Sequence, residues 1–475
     1  MIKPSDKSGG VVVMDTKQYE KACLDLLQDK EFYEEVEEDP TPRYRVQFDE
    51  RADRFRVLNL ISDAEEAAMR KGNRTPCFYG LPKTHKHFET FPDLRPICSG
   101  SDSPSVKTSE FVDGFLKPAA TKTASYVRDT TSFINKTRNI SLPTSPDQDI
   151  WLCTLDVKSL YTNIHHDDGV EACKSFLDKR NNKRFPTDSL CELIRSVLQS
   201  NTMQFGSRYF HQIKGTAMGT PMAVNYANLF MSSFEQRLLE SFEKDFHQKP
   251  YLWLRFIDDI FFVWVGSEET LQAFIEYANN FSKKCGMRSN IEFTDVYSKT
   301  SVNFLDMVVK IGNSSLVTDL YTKVTAAHDY VQRSSYHPQH CLRAIPKGQF
   351  IRLRRICTHV SDYSKHAESF ITFFRRRGYQ ETELRKVANS IQSTPREDFL
   401  TPKKRKEETV LTLVLTYHHK MNDFSKILRN CYDTMTTKYP ELKHLFPSSP
   451  IVSTSFLRLQ LHPQMRLTAV LSSPL

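Results

Sequence analysis

Three acidic side chains sit inside apolar runs of this sequence. Asp156 lies in Leu-Asp-Val-Lys-Ser-Leu-Tyr, and Asp258 and Asp259 are adjacent in Arg-Phe-Ile-Asp-Asp-Ile-Phe-Phe-Val-Trp, 102 residues further on. The β-branched and aromatic residues around them predict buried strands. An unpartnered buried carboxylate costs several kcal/mol, so strands that carry three toward one place need a cation, most economically a divalent metal. Magnesium prefers carboxylate oxygens and shares its remaining positions with water and substrate phosphates, an arrangement suited to in-line displacement at phosphorus. Paired Asp between apolar runs is also the composition of a hairpin turn. A turn alone does not predict the third signature lying between the acidic runs, Phe210-His-Gln212-Ile-Lys-Gly215-Thr-Ala-Met-Gly219-Thr-Pro221, with a helical run over 222–234 behind it.

The elements that must position these groups alternate along the chain. Residues 1–75 read as a short strand at 11–14, a helical stretch over 17–38, a Pro-broken linker and a second helical run over 62–71. Residues 76–150 hold two basic segments, Tyr79-Gly-Leu-Pro-Lys83-Thr-His85-Lys86 and Leu94-Arg95-Pro96-Ile97, joined by a polar loop. From 150 to about 310 strands and helices alternate, with helices expected over 168–179 and 189–200 and one apolar strand over 302–309. This is an α+β pattern. After Tyr321 the chain turns mainly helical and basic, with runs over 347–360, 363–377 and 381–391. Residues 448–475 are rich in Ser, Pro and Leu without periodicity.

Length and composition bound the reading. The 475 residues allow two or three domains, and 39% hydrophobic residues is enough for a soluble globular core. The N-terminus lacks an apolar signal core and no apolar run approaches a membrane span, so no membrane partner is expected and the protein reads as nuclear or cytoplasmic. The ten cysteines never fall in closely spaced pairs, which fits reduced thiols and argues against a zinc site built on such pairs. The net charge of +8 is unevenly spread, because residues 341–406 alone hold sixteen Lys or Arg against six Asp or Glu. Arg352, Arg354, Arg355, Arg375, Arg376, Arg377 and the run 403–406 suit a phosphate backbone, where neutralisation releases counterions. A solvated basic helix face is the alternative.

The motifs together resemble the reverse transcriptase family, and among its branches the Penelope-like retroelements, which are related to telomerase reverse transcriptase. The blocks that carry the resemblance occur in the same order: Tyr-Gly-Leu-Pro-Lys-Thr-His-Lys at 79–86, Leu-Arg-Pro-Ile-Cys-Ser-Gly at 94–100, Asp-Val-Lys-Ser-Leu-Tyr-Thr-Asn-Ile at 156–164, Gly-Thr-Ala-Met-Gly-Thr-Pro at 215–221, Asn-Phe-Leu-Asp at 303–306 and Ser-Tyr-His-Pro-Gln-His at 335–340. It implies a right-hand polymerase: an N-terminal approach over 1–75, fingers over 76–150, a palm with an antiparallel sheet and helices over 151–310 with 175–205 as a fingers insertion, a helical basic thumb of helix-turn-helix character over 311–445, and an irregular tail over 446–475. The pattern departs from the family at its end, where no GIY-YIG endonuclease signature follows Phe446, so the chain could be a fragment of a longer element-encoded protein.

The resemblance also implies roles. Asp156 and Asp258, with the carbonyl of Val157, would bridge two magnesium ions, manganese being an alternative, and Asp259 would be the more peripheral carboxylate. Tyr161 would lie under the incoming sugar and exclude a ribose 2′-hydroxyl. Lys83 and Arg95 would clasp the triphosphate, while Gln212 and Gly215 would shape the nucleotide pocket. Residues 303–306, with Phe304, Leu305 and Asp306, would grip the primer, and Lys299 would protonate the leaving group. His337 and His340 have metal-like spacing but are expected to pack or cap. The partners implied are an RNA template, a DNA primer and deoxynucleoside triphosphates. A catalytically silent nucleic-acid-binding remnant, using 345–395 as a helix-turn-helix-like module, is the reading from a different class.

Overall fold

The computed structural model describes residues 1–7, 10–143, 149–323, 326, 328–401, 410, 412–418 and 421–455. At its centre a four-stranded antiparallel sheet runs in the order Phe293–Ser298, Ile150–Val157, Asp259–Val265, Leu252–Phe256. The apolar runs around the acidic residues are thus neighbouring strands. Asp259–Val265 is buried on both faces, which explains why its sequence is a continuous apolar run rather than an alternation. On one face Phe262 and Trp264 pack on Phe274 of helix Glu268–Lys284, and on the other Phe261 meets Phe133 and Phe304 at 5.0 and 5.6 Å. Helix Ala223–Phe246, longer than the run expected from 222, lies in the same core with Tyr226, Phe230, Phe234, Leu238 and Phe242 turned inward at helical spacing.

A second, five-stranded sheet has the order Tyr33–Val36, Arg208–Gln212, Thr202–Phe205, Cys77–Pro82, Leu94–Ser99. Its first strand corrects the expectation of one helix over 17–38. Helix Thr16–Leu27, capped by Asp15 on the Gln18 N–H at 3.0 Å, stops early, and Tyr33–Val36 pairs with 209–212 so that Tyr33 is buried beside Phe78 and Phe210. Pairing with a distant strand outweighs local helix propensity here. The expected strand over 302–309 is instead a hairpin, Ser301–Phe304 with Met307–Gly312, reversing at Leu305 with φ of 57° and extended by Ser315–Leu320.

Residues 1–329 with 355–366 form one compact unit, and 330–354 with 367–475 form another. In the second unit Tyr330, Phe350, Phe370 and Tyr379 surround Phe374, and Arg385 joins Glu368 and Glu381 at 2.7 and 2.8 Å. Helices Gln339–Ile356, Val360–Arg375 and Glu381–Gln392 follow one another along the chain. Strand Ile451–Ser455 pairs in parallel with Thr412–Thr416 within the segment expected to be irregular. The basic run 403–406 and residues 456–475 lie outside the described residues. Among the described residues no helix is long and apolar enough to cross a membrane.

One buried charge organises the turn that carries Asp258. Arg255 is fully buried, and each of its five N–H donors has an acceptor. Nε donates to Glu235 Oε1 at 2.7 Å, one terminal nitrogen to Asn228 Oδ1 and to the Ile257 carbonyl at 2.7 and 3.0 Å, and the other to the Asn228 carbonyl and Ser232 Oγ, both at 3.0 Å. Glu235 also accepts from Trp253 Nε1 and Ser125 Oγ. Asn228, Ser232 and Glu235 form one stripe of helix Ala223–Phe246. Removing one partner of such a pair strands a buried charge, so Glu235→Ala is expected to lower stability by about 3–5 kcal/mol in urea unfolding. A loss under about 1 kcal/mol would show that the pair is not a structural anchor.

Candidate active site

The acidic residues meet at one edge of the central sheet. Asp259 is the direct cross-strand neighbour of Asp156, and the Val157 N–H donates to the Asp258 carbonyl at 3.1 Å, tying the two strand ends together. Asp258 sits in a two-residue turn whose first member, Ile257, has φ of 58°. The turn reading and the acidic-cluster reading are therefore both correct. Burial, and then the Asp258 charge, raise the carboxyl of Asp156 above the ordinary range, while the same causes together with Asp156 push Asp259 up to about 6. Lys7 and Lys86 offset part of this at Asp156, and Lys7 and Lys323 at Asp259. The centre is short of positive charge. Its donors are all oxygen, the set that hard divalent cations take.

After Val157 the chain leaves the sheet through Ser159, left-handed at φ of 50°, into the short helix Leu160–Asn163. This delivers Tyr161, half-buried, beside the cluster. Burial and then the nearby Asp258 charge push its phenol up to about 12, with Arg95 pulling it back. Gly215 closes against the same turn, because at its φ of 77° an added Cβ would stand 2.3 Å from the Tyr161 carbonyl oxygen. Lys83 and Arg95 come from the hairpin of Cys77–Pro82 and Leu94–Ser99. Leu81 faces Arg95 and the Lys83 N–H binds the Asp93 carbonyl, which puts the two basic side chains on one face as diagonal neighbours. Burial, then Lys86, lowers the Lys83 ammonium, and Arg95 adds to the effect.

Several expected site residues stand elsewhere. Gln212 is 2% exposed and its amide is committed to the Lys214 carbonyl at 2.8 Å, so its side chain is spent within the fold. Phe304 is 3% exposed between Phe133 and Phe261, which leaves Leu305 and Asp306 at the turn, half-buried, with Thr130 donating to the Asp306 carboxylate. Lys299 binds Asp149 at 2.8 Å and stacks over Trp151. The preceding residue, Ser298, is paired with Leu152, four residues and about 13 Å along the strand from Asp156, so Lys299 does not serve the acidic centre. Arg354 is 7% exposed, on the inward face with Phe350 and Leu353, and is not a surface phosphate ligand. Arg375 and Arg376 are exposed, Arg375 paired with Glu381 at 3.0 Å; Arg352, Arg355 and Arg377 are half-buried. His337 bonds Ser335 through Nδ1, a local packing contact.

Sequence reasoning gave no role to Asp6, Lys7, Lys86, Lys323 or Arg255. Asp6, whose side chain is 5% exposed, pairs with Arg95 Nε at 2.6 Å and leaves Arg95 a third exposed. Its own backbone N–H is fixed on the Pro82 carbonyl.

Residues 108–309 match the reverse transcriptase (RNA-dependent DNA polymerase) family, and residues 329–389 match the animal helix-turn-helix domain. The telomerase reverse transcriptase of Oryza sativa subsp. japonica is 26% identical over 140 residues, 27% of this chain and 10% of that protein, so the match spans a small part of the relative. The telomerase of Candida albicans, solved in complex with a TWJ fragment of telomeric RNA, superposes with a TM-score of 0.50 at 10% identity over 82% of this chain and 70% of that one. Apo telomerase from Candida tropicalis gives 0.47 at 11% identity over 84% and 67%. At such identity the likeness concerns the fold, which is the right-hand polymerase fold of mixed helices and antiparallel sheets. The chain therefore carries a reverse transcriptase domain, similar to those of telomerases, with a helix-turn-helix segment after it.

Proposed function

We propose that this protein is an RNA-directed DNA polymerase that extends a DNA primer on an RNA template with deoxynucleoside triphosphates, and that it is of the Penelope-like branch. The observation that carries the reading is the cross-strand contact of Asp156 and Asp259 with Asp258 beside them. The branch rests on the six ordered motifs, among them the segments at 79–86 and 335–340. In this reading 76–150 serves as fingers, 151–310 as palm and 311–445 as thumb, with Arg352, Arg355, Arg375, Arg376 and Arg377 as candidates for phosphate contact.

The mutual repulsion of the three carboxylates fits a pair of magnesium ions, with manganese as an alternative, held by Asp156, Asp258, Asp259 and the Val157 carbonyl. Such ions activate a hydroxyl nucleophile and neutralise phosphate charge. The chain's own residues do the positioning. Lys83 and Arg95 supply a point charge and a planar fork toward a triphosphate, and the Asp6 carboxylate holds the Nε end of that fork as an ion pair. Tyr161 fills the space next to Asp258 where a sugar would lie, and Gly215 lets the chain approach that turn closely. Lys7 and Lys86 add positive field without occupying the centre.

Three outcomes test this. Primer extension on an RNA template should occur with the wild type and fall roughly a thousandfold or more with Asp258→Ala; equal, negligible extension by both would leave the nucleic-acid-binding reading. Tyr161→Ala should raise ribonucleotide incorporation relative to deoxynucleotide roughly tenfold or more, and an unchanged ratio would remove Tyr161 from sugar selection. Asp259 has a folded pKa raised to about 6, so its contribution to stability is present below the unfolded value near 4 and is lost as pH rises through about 6. Metal-free Asp259→Asn should accordingly be more stable than wild type at pH 7, by about 1–2 kcal/mol after screening, with the gain gone at pH 4. A pH-independent difference in thermal unfolding would refute the electrostatic account.

A further inference from the structure

Away from the acidic centre, and independent of the polymerase reading, three chemically different ligand groups converge in the first unit. Asp319 ends strand Ser315–Leu320, Cys357 follows helix Gln339–Ile356, and His366 lies on helix Val360–Arg375. Their donor atoms all fall within 4.8 Å of one another, with His366 Nε2 at 2.9 Å and Cys357 Sγ at 3.8 Å from Asp319 Oδ1. Zinc bonds of about 2.0–2.3 Å in a tetrahedron set donors roughly 3.3–3.8 Å apart, within the range seen here. Cys357 is fully buried, while Asp319 and His366 keep 19% and 21% of their side chains exposed, so the point of convergence is walled on one side and open on another.

Thr318 and Thr358 fix most of the backbone around this point. Thr318 Oγ1 donates to the Ile356 carbonyl at 2.6 Å, the Thr358 N–H donates to the Thr318 carbonyl at 2.8 Å, and the Thr318 N–H donates to Thr358 Oγ1 at 2.9 Å. The Leu320 N–H donates to Asp319 Oδ1 at 2.8 Å, orienting the carboxylate. Asp362, one helical turn before His366 and near Cys357, adds a second negative charge on that side. Lys310 opposes a cation, but it stands 3.5 Å from the other oxygen, Oδ2, on a side chain 45% exposed that is able to swing away.

We propose that Asp319, Cys357 and His366 form a zinc-class metal site of three protein donors, with water in the fourth position, that fastens the connection at 356–366 to the three-stranded sheet. A thiolate, an imidazole and one carboxylate are a borderline-soft set, suited to zinc or cobalt and poorly suited to the magnesium expected at the acidic centre. Without metal the three groups hydrogen-bond to one another, Cys357 and His366 both onto Asp319 Oδ1, and a zinc-class ion would replace those protons at the same point.

The test is cobalt titration of the reduced, chelated full-length chain. A thiolate-to-cobalt charge-transfer band with tetrahedral visible bands should appear and be displaced by one equivalent of zinc, whereas the all-oxygen acidic centre gives no such band. Cys357→Ser and His366→Ala should each lose the band, and Cys77→Ser should retain it. Should those two variants fail to fold, Asp319→Asn, nearly isosteric, should weaken zinc binding about tenfold or more, and native mass spectra of the wild type should carry one zinc. A wild type without the charge-transfer band, a band that survives Cys357→Ser, or wild-type and Asp319→Asn chains of equal zinc affinity would overturn the proposal.

Discussion

Arg255 carries its charge into a place with no water, and the rest of the acidic centre is arranged around how that charge is satisfied. A guanidinium has five donors in a fixed planar fork, so satisfying all of them fixes the relative position of every acceptor. Here the acceptors are a helix stripe, Asn228, Ser232 and Glu235, and a turn carbonyl, Ile257. The helix is thereby locked to the strand that precedes Asp258. Glu235 in turn gathers Trp253 and Ser125, so one carboxylate joins the edge strand, the long helix and the segment at 125–127.

Against that rigid floor, the opposite wall is electrostatic. The carboxylates at 156, 258 and 259 repel one another, and the cations that answer them come from segments distant in sequence: Lys7 near the N-terminus, Lys86 in the hairpin and Lys323 after the third sheet. None of these sits among the carboxylates as an ion-pair partner would. The acidic edge is thus only partly neutralised by the chain's own cations.

How much of this was legible varied with the physical signal. The acidic strands were, because an Asp inside a β-branched and aromatic run is an anomaly that local sequence displays, and the long helices were, because their apolar residues recur at helical spacing. Gly215 was named only through the family resemblance, as a shaper of a nucleotide pocket, and its close approach to the Tyr161 turn left no local signal. Arg255 was not, since a single cation in an apolar strand shows nothing of the helix that satisfies it. Asp6 and Arg95 are 89 residues apart, and no periodicity links them. The strand at 33–36 was misread because its partner lies at 209–212, and a hydrogen-bonding edge outweighs propensity. Phe304 and Arg354 could have been placed better: Val302 and Phe304 alternate inward, and 350, 353, 354 and 357 fall on one helical face. The Asp319, Cys357 and His366 cluster left no spacing signature, because each member comes from a different element.

Ile257 has a further consequence. A β-branched residue in the left-handed region costs of order 1–3 kcal/mol, and here one contact visible on that peptide is the donation from Arg255 to its carbonyl. The turn is a loaded spring whose catch lies in the floor beneath it. Without that floor the peptide would relax and swing Asp258 out of line, so an ordered sheet can outlive the geometry of its acidic edge.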